Sequence, residues 1–136
     1  MTRQQEWARG SLERVSAYAP RPDGPARDGA SEYRTLCMKM PILLKQSGLS
    51  QALAFVRSRG DLGKAFCDDL SAVLAPAEAT VGSGQATAKS AGHQLQERAF
   101  TAKDLGTYMS LSRDVIAVSI WFRRFAQSEL PAADAQ

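Results

Sequence analysis

At 136 residues, 44% apolar and 23% charged, the chain has an ordinary globular composition, large enough to bury one core without metal or disulfide staples. A formal net charge of +3 permits contact with a phosphate backbone without demanding it. No run approaches the ~18 apolar residues of a membrane span, and the opening MTRQQEWARG has no apolar signal region, so a soluble, cytoplasmic, single-domain protein with no membrane contact is expected.

Residues 3 to 18 place Trp7, Leu12 and Val15 loosely at helical spacing, with Gly10 weakening that first helix by about 1 kcal/mol relative to Ala. Ala19 to Ala30 holds three prolines and two glycines, which forbid regular structure and mark a linker or surface loop. Ser31 is placed to cap a second helix, in which Tyr33, Leu36, Cys37, Met40, Leu43 and Leu44 follow the i, i+3, i+4, i+7 rule. Pro41 sits inside that pattern and predicts a kink or a break, because it lacks a backbone donor and crowds the Cys37 carbonyl. Gly48 predicts the stop, and Leu49, Ala52, Leu53 and Val56 form the apolar face of a third helix over 49–59.

Asp61 to Leu74 reads as a fourth amphipathic helix through Leu62, Phe66, Leu70, Val73 and Leu74. Ala75 to His93 is rich in Gly, Ala, Ser and Thr and nearly empty of core residues, which predicts a long flexible loop. Residues 94–102 suggest a short helix, and Thr101 to Asp104 reads as a capping box opening the last one. In that last helix Tyr108, Leu111, Val115, Val118, Phe122 and Phe125 recur at alternating spacings of three and four. Met109, Ile116, Ile120 and Trp121 widen the stripe until it belongs at the centre of the core. With no sustained period-2 run, the fold class is all-α: a compact bundle of five or six helices.

Chemistry-bearing motifs are absent. Arg59-Gly-Asp61 is a chance tripeptide at a helix junction. Gly60 to Lys64 is too short for a phosphate loop, and Ala65 stands where a magnesium-holding Ser or Thr would be needed. His93 is the lone histidine, so neither a metal site nor a nucleophile relay can be assembled around it. Cys37 and Cys67 lie in apolar helical patterns, without metal-ligand spacing, and read as reduced core thiols. Asp68 and Asp69 are neighbours that point apart on a helix and read as a solvated face. No catalytic residue, cofactor or metal is expected.

Two surfaces carry more information. On the second helix Arg34, Met38, Ile42 and Lys45 oppose the core stripe, with Lys39 at their flank. Apolar side chains framed by cations on an outward face suit a contact surface, although Met38 and Ile42 could also pack under the long loop or the first helix. On the last helix Arg113 and Arg124 share a face, with Arg123 widening that basic edge; solvation and support of the helix dipole would also account for them. Trp121, Phe122 and Phe125 read as core, so no aromatic–basic interleaving suited to base stacking is evident.

The run from Tyr33 to Leu74, with Lys39-Met-Pro41, Ile42-Leu-Leu-Lys45, Ser47-Gly-Leu49 and Gln51-Ala-Leu-Ala-Phe55, resembles a known family. So does the closing Leu-Ser-Arg-Asp with Trp121-Phe-Arg-Arg-Phe125-Ala. That family is the small all-helical subunit of the type III-B CRISPR RNA-guided effector, the Cmr complex. The resemblance covers about half of the chain and leaves out the linker and the 75–93 loop.

It implies a non-catalytic subunit whose copies stack into a short filament beside the backbone subunit, lining the channel where guide RNA and target RNA pair. It further implies that Lys39, Lys45, Arg113, Arg123 and Arg124 face RNA backbone, and that Arg34, Met38, Ile42 and Phe55 contact other subunits or copies of the chain. A head-to-tail filament needs two different complementary faces, and such a subunit can be monomeric in isolation. The alternative reading is a helical protein–protein adaptor bundle with no nucleic-acid role.

Overall fold

The computed structural model describes residues 2–74, 91–102 and 104–131, which form six helices and no strand. The first, α1 (Arg3–Ser16), opens on a capping box: Thr2 accepts from the Gln5 backbone while the Gln5 side chain accepts from the Thr2 backbone. Its inward face is Trp7, Ser11 and Val15, and Leu12 is left exposed. The spacing of Trp7 and Val15, two helical steps of four, selects Ser11 rather than Leu12 for the buried position between them.

Residues 17–29 form turns with a single isolated bridge between Arg21 and Gly24. This linker is tied down at Tyr18, whose carbonyl accepts from the Arg27 backbone and whose ring stacks on Tyr33 with centroids 4.1 Å apart. Helix α2 (Ala30–Ser47) has Gly29 as its N-cap, at φ +85°, so Ser31 lies in the first turn and does not cap it. Pro41 is buried inside α2 and does not divide it: the helix continues unbroken to Ser47.

Gly48 ends α2 and begins α3 (Leu49–Arg57), and at φ +83° it holds a conformation costly for any residue with a Cβ. Leu49, Ala52, Leu53 and Val56 are all buried on one face of α3. Helix α4 (Asp61–Leu74) buries Phe66, Cys67, Leu70 and Val73. Gly63 belongs to the packing of α3 on α4, because a Cβ there would drive into the Val56 carbonyl oxygen.

Of the expected 75–93 loop, residues 75–90 lie outside the described residues, whereas 91–93 are helical and belong to α5 (Ala91–Thr101). Thr101 is the last residue of α5, its hydroxyl turned back onto the Glu97 carbonyl, so it cannot cap the next helix. Asp104 takes that role for α6 (Leu105–Glu129), accepting from the Thr107 backbone at 2.8 Å.

Helix α6 packs against α1, α2 and α4, while α5 rests on α4 and α3. The Tyr108 hydroxyl, near the start of α6, accepts from the Ser50 backbone beside the end of α2. At the other end, Tyr33, Phe66 and Phe122 meet edge to face at 5.5 and 5.7 Å. The two helices α2 and α6 therefore run antiparallel, pinned near both ends. Each such aromatic pair contributes about 0.5–1.5 kcal/mol beyond its buried area, and the ladder joins linker, α2, α4 and α6 into one apolar cluster.

Candidate nucleic-acid interface

The five cations that the sequence nominates for RNA all stand on this antiparallel pair. Lys39 and Lys45 are exposed on α2, Arg113 and Arg124 are exposed on α6, and Arg123 is half-buried. None of the five forms an ion pair with a described residue. Arg113 and Arg124 lie about 20° apart around the α6 axis and ~16 Å apart along it, a single basic edge. Lys39 and Lys45 differ: their six-residue separation turns them about 120° apart around α2.

Dipole support does not explain Arg123 and Arg124, since α6 runs on to Glu129 and its last turn carries no cation. Lys45 does stand in the last turn of α2, where that explanation holds.

Among the side chains nominated for protein contact, Ile42 is 50% and Phe55 48% exposed, whereas Met38 is half-buried. Arg34 is half-buried too, and its Nε is enclosed with no hydrogen-bond partner among the described residues. Arg59 lies over the Phe55 ring, 5.6 Å from its centroid. The structure adds apolar surface: Met109, which spacing assigned to the core stripe, is 47% exposed, and Phe100 and Leu105, which the sequence reading left unassigned, are 61% and 75% exposed around the same α5–α6 corner. The approach of a corner leaves part of a helical stripe without a neighbour to cover it.

The aromatic residues of α6 also divide differently from their sequence reading. Only Phe122 is fully buried; Trp121 and Phe125 are half-buried and stack on each other, centroids 5.8 Å apart. The Trp121 indole Nε1–H donates to Gln4 Oε1 at 3.0 Å, and the Arg124 guanidinium lies over the indole, 5.1 Å from its centroid. Nearby, Arg3 pairs with Asp114 at 2.6 Å and covers the Trp7 ring, fastening α1 to α6.

Asp69 is not part of a solvated face. Its side chain is 15% exposed, accepting from the Tyr33 hydroxyl at 2.6 Å and from Arg14 Nη1 at 3.1 Å. Burial raises its pKa above the ordinary carboxylate value, an effect that Tyr33 and Arg14 oppose. The same burial raises Tyr33 well above the usual phenol range. Cys37 and Cys67 are free and buried; desolvation raises both thiols, Cys67 to about 12, which leaves them without thiolate character at neutral pH.

An open groove of about 820 Å³ runs between the end of α5 and the first half of α6, past Arg98, Thr101, Asp104, Thr107 and Asp114. Its carboxylates are already committed, Asp104 to capping α6 and Asp114 to Arg3, so they offer no acid–base pair. Among the described residues no group of His, Cys, Asp and Glu could hold a metal ion, and no helix is long and apolar enough to cross a membrane.

The chain matches the family model described as CRISPR-associated protein (Cas_Cmr5) over residues 3–129. It is 39% identical over 130 residues to the CRISPR system Cmr subunit Cmr5 of Thermus thermophilus, across 93% of this chain and 95% of that relative. Its fold is similar to the crystal structure of a CRISPR-associated Cmr5 family protein, also from Thermus thermophilus. The TM-score is 0.75 at 37% identity, with 96% of this chain and 100% of that chain covered. These matches reach through α1 and the linker, well beyond the segments that carry the resemblance in the sequence.

Proposed function

Because the chain belongs to the CRISPR-associated Cas_Cmr5 family, we propose that it serves as the small structural subunit of a Cmr CRISPR effector, without chemistry of its own. Copies of the chain stack beside the backbone subunit into a short filament and line the channel in which guide RNA and target RNA pair. The basic edge of α6, Arg113 with Arg124 and the half-buried Arg123, faces the RNA backbone and α2 extends it through Lys39 or Lys45. Contact of this kind reads no sequence, which suits an assembly whose specificity resides in base pairing. Ile42, Phe55, Met38 and Arg34 contact neighbouring subunits. A single such contact is weak, so the isolated chain is a monomer.

The observation that carries this reading, once family membership is given, is the set of outward cations on α2 and α6 that have no carboxylate partner among the described residues. Cations kept merely as solubilising surface would as readily be interspersed with acids in ion pairs, as Arg9 and Glu13 are on α1.

The test is purification of the tagged chain from its host, with sequencing of the RNA that accompanies it. Large effector subunits and repeat-derived guide RNA should be recovered, and the guide RNA should diminish when Lys39, Lys45, Arg113, Arg123 and Arg124 are changed to Glu. Recovery of an unrelated partner without guide RNA would leave the adaptor reading in its place.

A further inference from the structure

Arg124 differs from the other outward cations of this surface in what lies beneath it. Its neighbours one turn away, Ile120, Trp121, Gln127 and Ser128, include no carboxylate, and it forms no ion pair with a described residue. The guanidinium rests on the Trp121 indole, which is itself held twice: by the Nε1–H bond to Gln4 and by stacking against Phe125. Among the described residues, Lys39, Lys45, Arg113 and Arg123 have no such platform. Arg59 shares the arrangement in part, but its ring, Phe55, is 48% exposed and carries no polar group to anchor it.

Stacking and hydrogen bonding use different parts of a guanidinium. The ring takes the flat face, while the N–H donors lie in the plane and point past the ring edge. A stacked arginine therefore keeps its capacity for bidentate phosphate contact while losing much of the rotamer freedom that binding would otherwise have to remove.

We infer that Trp121 is a positioning residue for RNA backbone contact: with Gln4 and Phe125 it forms an aromatic bracket that presents the Arg124 guanidinium edge-on to a phosphate. This rests on the RNA-lining role proposed above and deepens it, naming the phosphate group as the ligand of Arg124 and assigning Trp121 a part that touches no RNA.

The test uses the full chain and a labelled single-stranded oligouridylate, with affinity measured by fluorescence anisotropy over a range of salt concentrations. Arg124→Gln should weaken binding and reduce the salt slope by about 0.7, the loss of one phosphate contact on a single strand. Trp121→Leu, which keeps the charge but removes the ring, should weaken binding by about two- to fivefold, the scale of an exposed cation–π contact, and leave the slope unchanged. Trp121→Phe should restore most of the affinity, and Trp121→Leu should add nothing in the Arg124→Gln background. Thermal unfolding of each variant, followed by circular dichroism, confirms that only folded protein is compared. If the Leu variant unfolds, Gln4→Ala, which frees the indole from its anchor at an exposed position, carries the comparison. It should weaken binding without changing the slope, and an unchanged affinity overturns the inference.

An unchanged affinity for Trp121→Leu, with wild type binding normally, overturns the inference and leaves the RNA-lining role standing. A loss that persists in the Arg124→Gln background also overturns it, because the indole would then be stacking on bases directly. Absence of RNA binding by the wild-type chain overturns both.

Discussion

Asp69 shows how one side chain can be pulled in two directions. Burial raises its pKa, while the Tyr33 hydroxyl and Arg14 favour the ionised form and recover part of that shift. A carboxyl whose folded pKa is above its unfolded value binds its proton more tightly in the folded state. The stability it contributes is present below the unfolded value, ~3.9 for Asp, and is lost as pH rises through the folded value. Asp69→Asn should therefore gain stability relative to wild type as pH rises through that window and stay level above it. Urea denaturation of both proteins across the pH series measures the difference, and a flat difference would show that the carboxyl is not raised. Tyr33→Phe keeps the ring stacked on Tyr18 and edge-on to Phe66 but removes a donor from a buried carboxylate. It should cost about 1.5–3 kcal/mol at neutral pH and move the Asp69 window upward, since the Tyr33 bond is one of the influences holding it down.

Among the elements, the α3–α4 junction depends on the absence of a side chain at Gly63. A Cβ there would meet the Val56 carbonyl oxygen, a backbone atom that cannot rotate aside, so α4 would have to move off α3. Gly63→Ala should destabilise by at least the ~1–3 kcal/mol typical of overpacking, despite its higher helix propensity. Gly10→Ala is the contrast: the atoms nearest its Cβ would be the Val73 methyls at 3.3 Å, side-chain atoms that can give way, and the ~1 kcal/mol of propensity gained in mid-helix roughly offsets that crowding. Parallel urea melts of the two variants should separate them clearly.

Neither effect is legible in the sequence, where Gly10 reads as a weak point of its helix and Gly63 only as part of a failed phosphate-loop match. The helices themselves are legible because apolar residues at 3.6-residue spacing report burial directly: the buried face of α3 and the span of α4 agree with the spacing. Caps are less legible, since Ser31 has the right side chain but stands inside α2, which Gly29 caps, and Thr101 ends α5 while Asp104 caps α6. Asp69 escapes the sequence for a different reason. Its partners Tyr33 and Arg14 are 36 and 55 residues away, so no local pattern announces them.

For the whole molecule, the candidate RNA surface depends on how two distant helices lie together, and the sequence alone contains only half of that information. It shows that Arg113 and Arg124 share an edge of α6 with Trp121 one turn from Arg124, but not that α2 runs antiparallel beside it, nor that Gln4 anchors the Trp121 indole. The turn of about 120° between Lys39 and Lys45 now sets a constraint: a channel wall built on the α6 edge can be continued by one of them, while the other faces away from RNA. Lys39→Gln and Lys45→Gln should therefore behave differently with a single-stranded RNA. One should lower the salt slope by about 0.7 and the other leave it unchanged. Combined with Arg113→Gln, the slope-lowering variant should show an additive loss, since the residues are on separate helices and share no partner. Equal slope losses for both lysines would place RNA across the outward face of α2, with Ile42 beneath it. No loss for either would confine RNA contact to α6 and leave α2 to protein neighbours, and anisotropy titrations of the two single variants distinguish these outcomes.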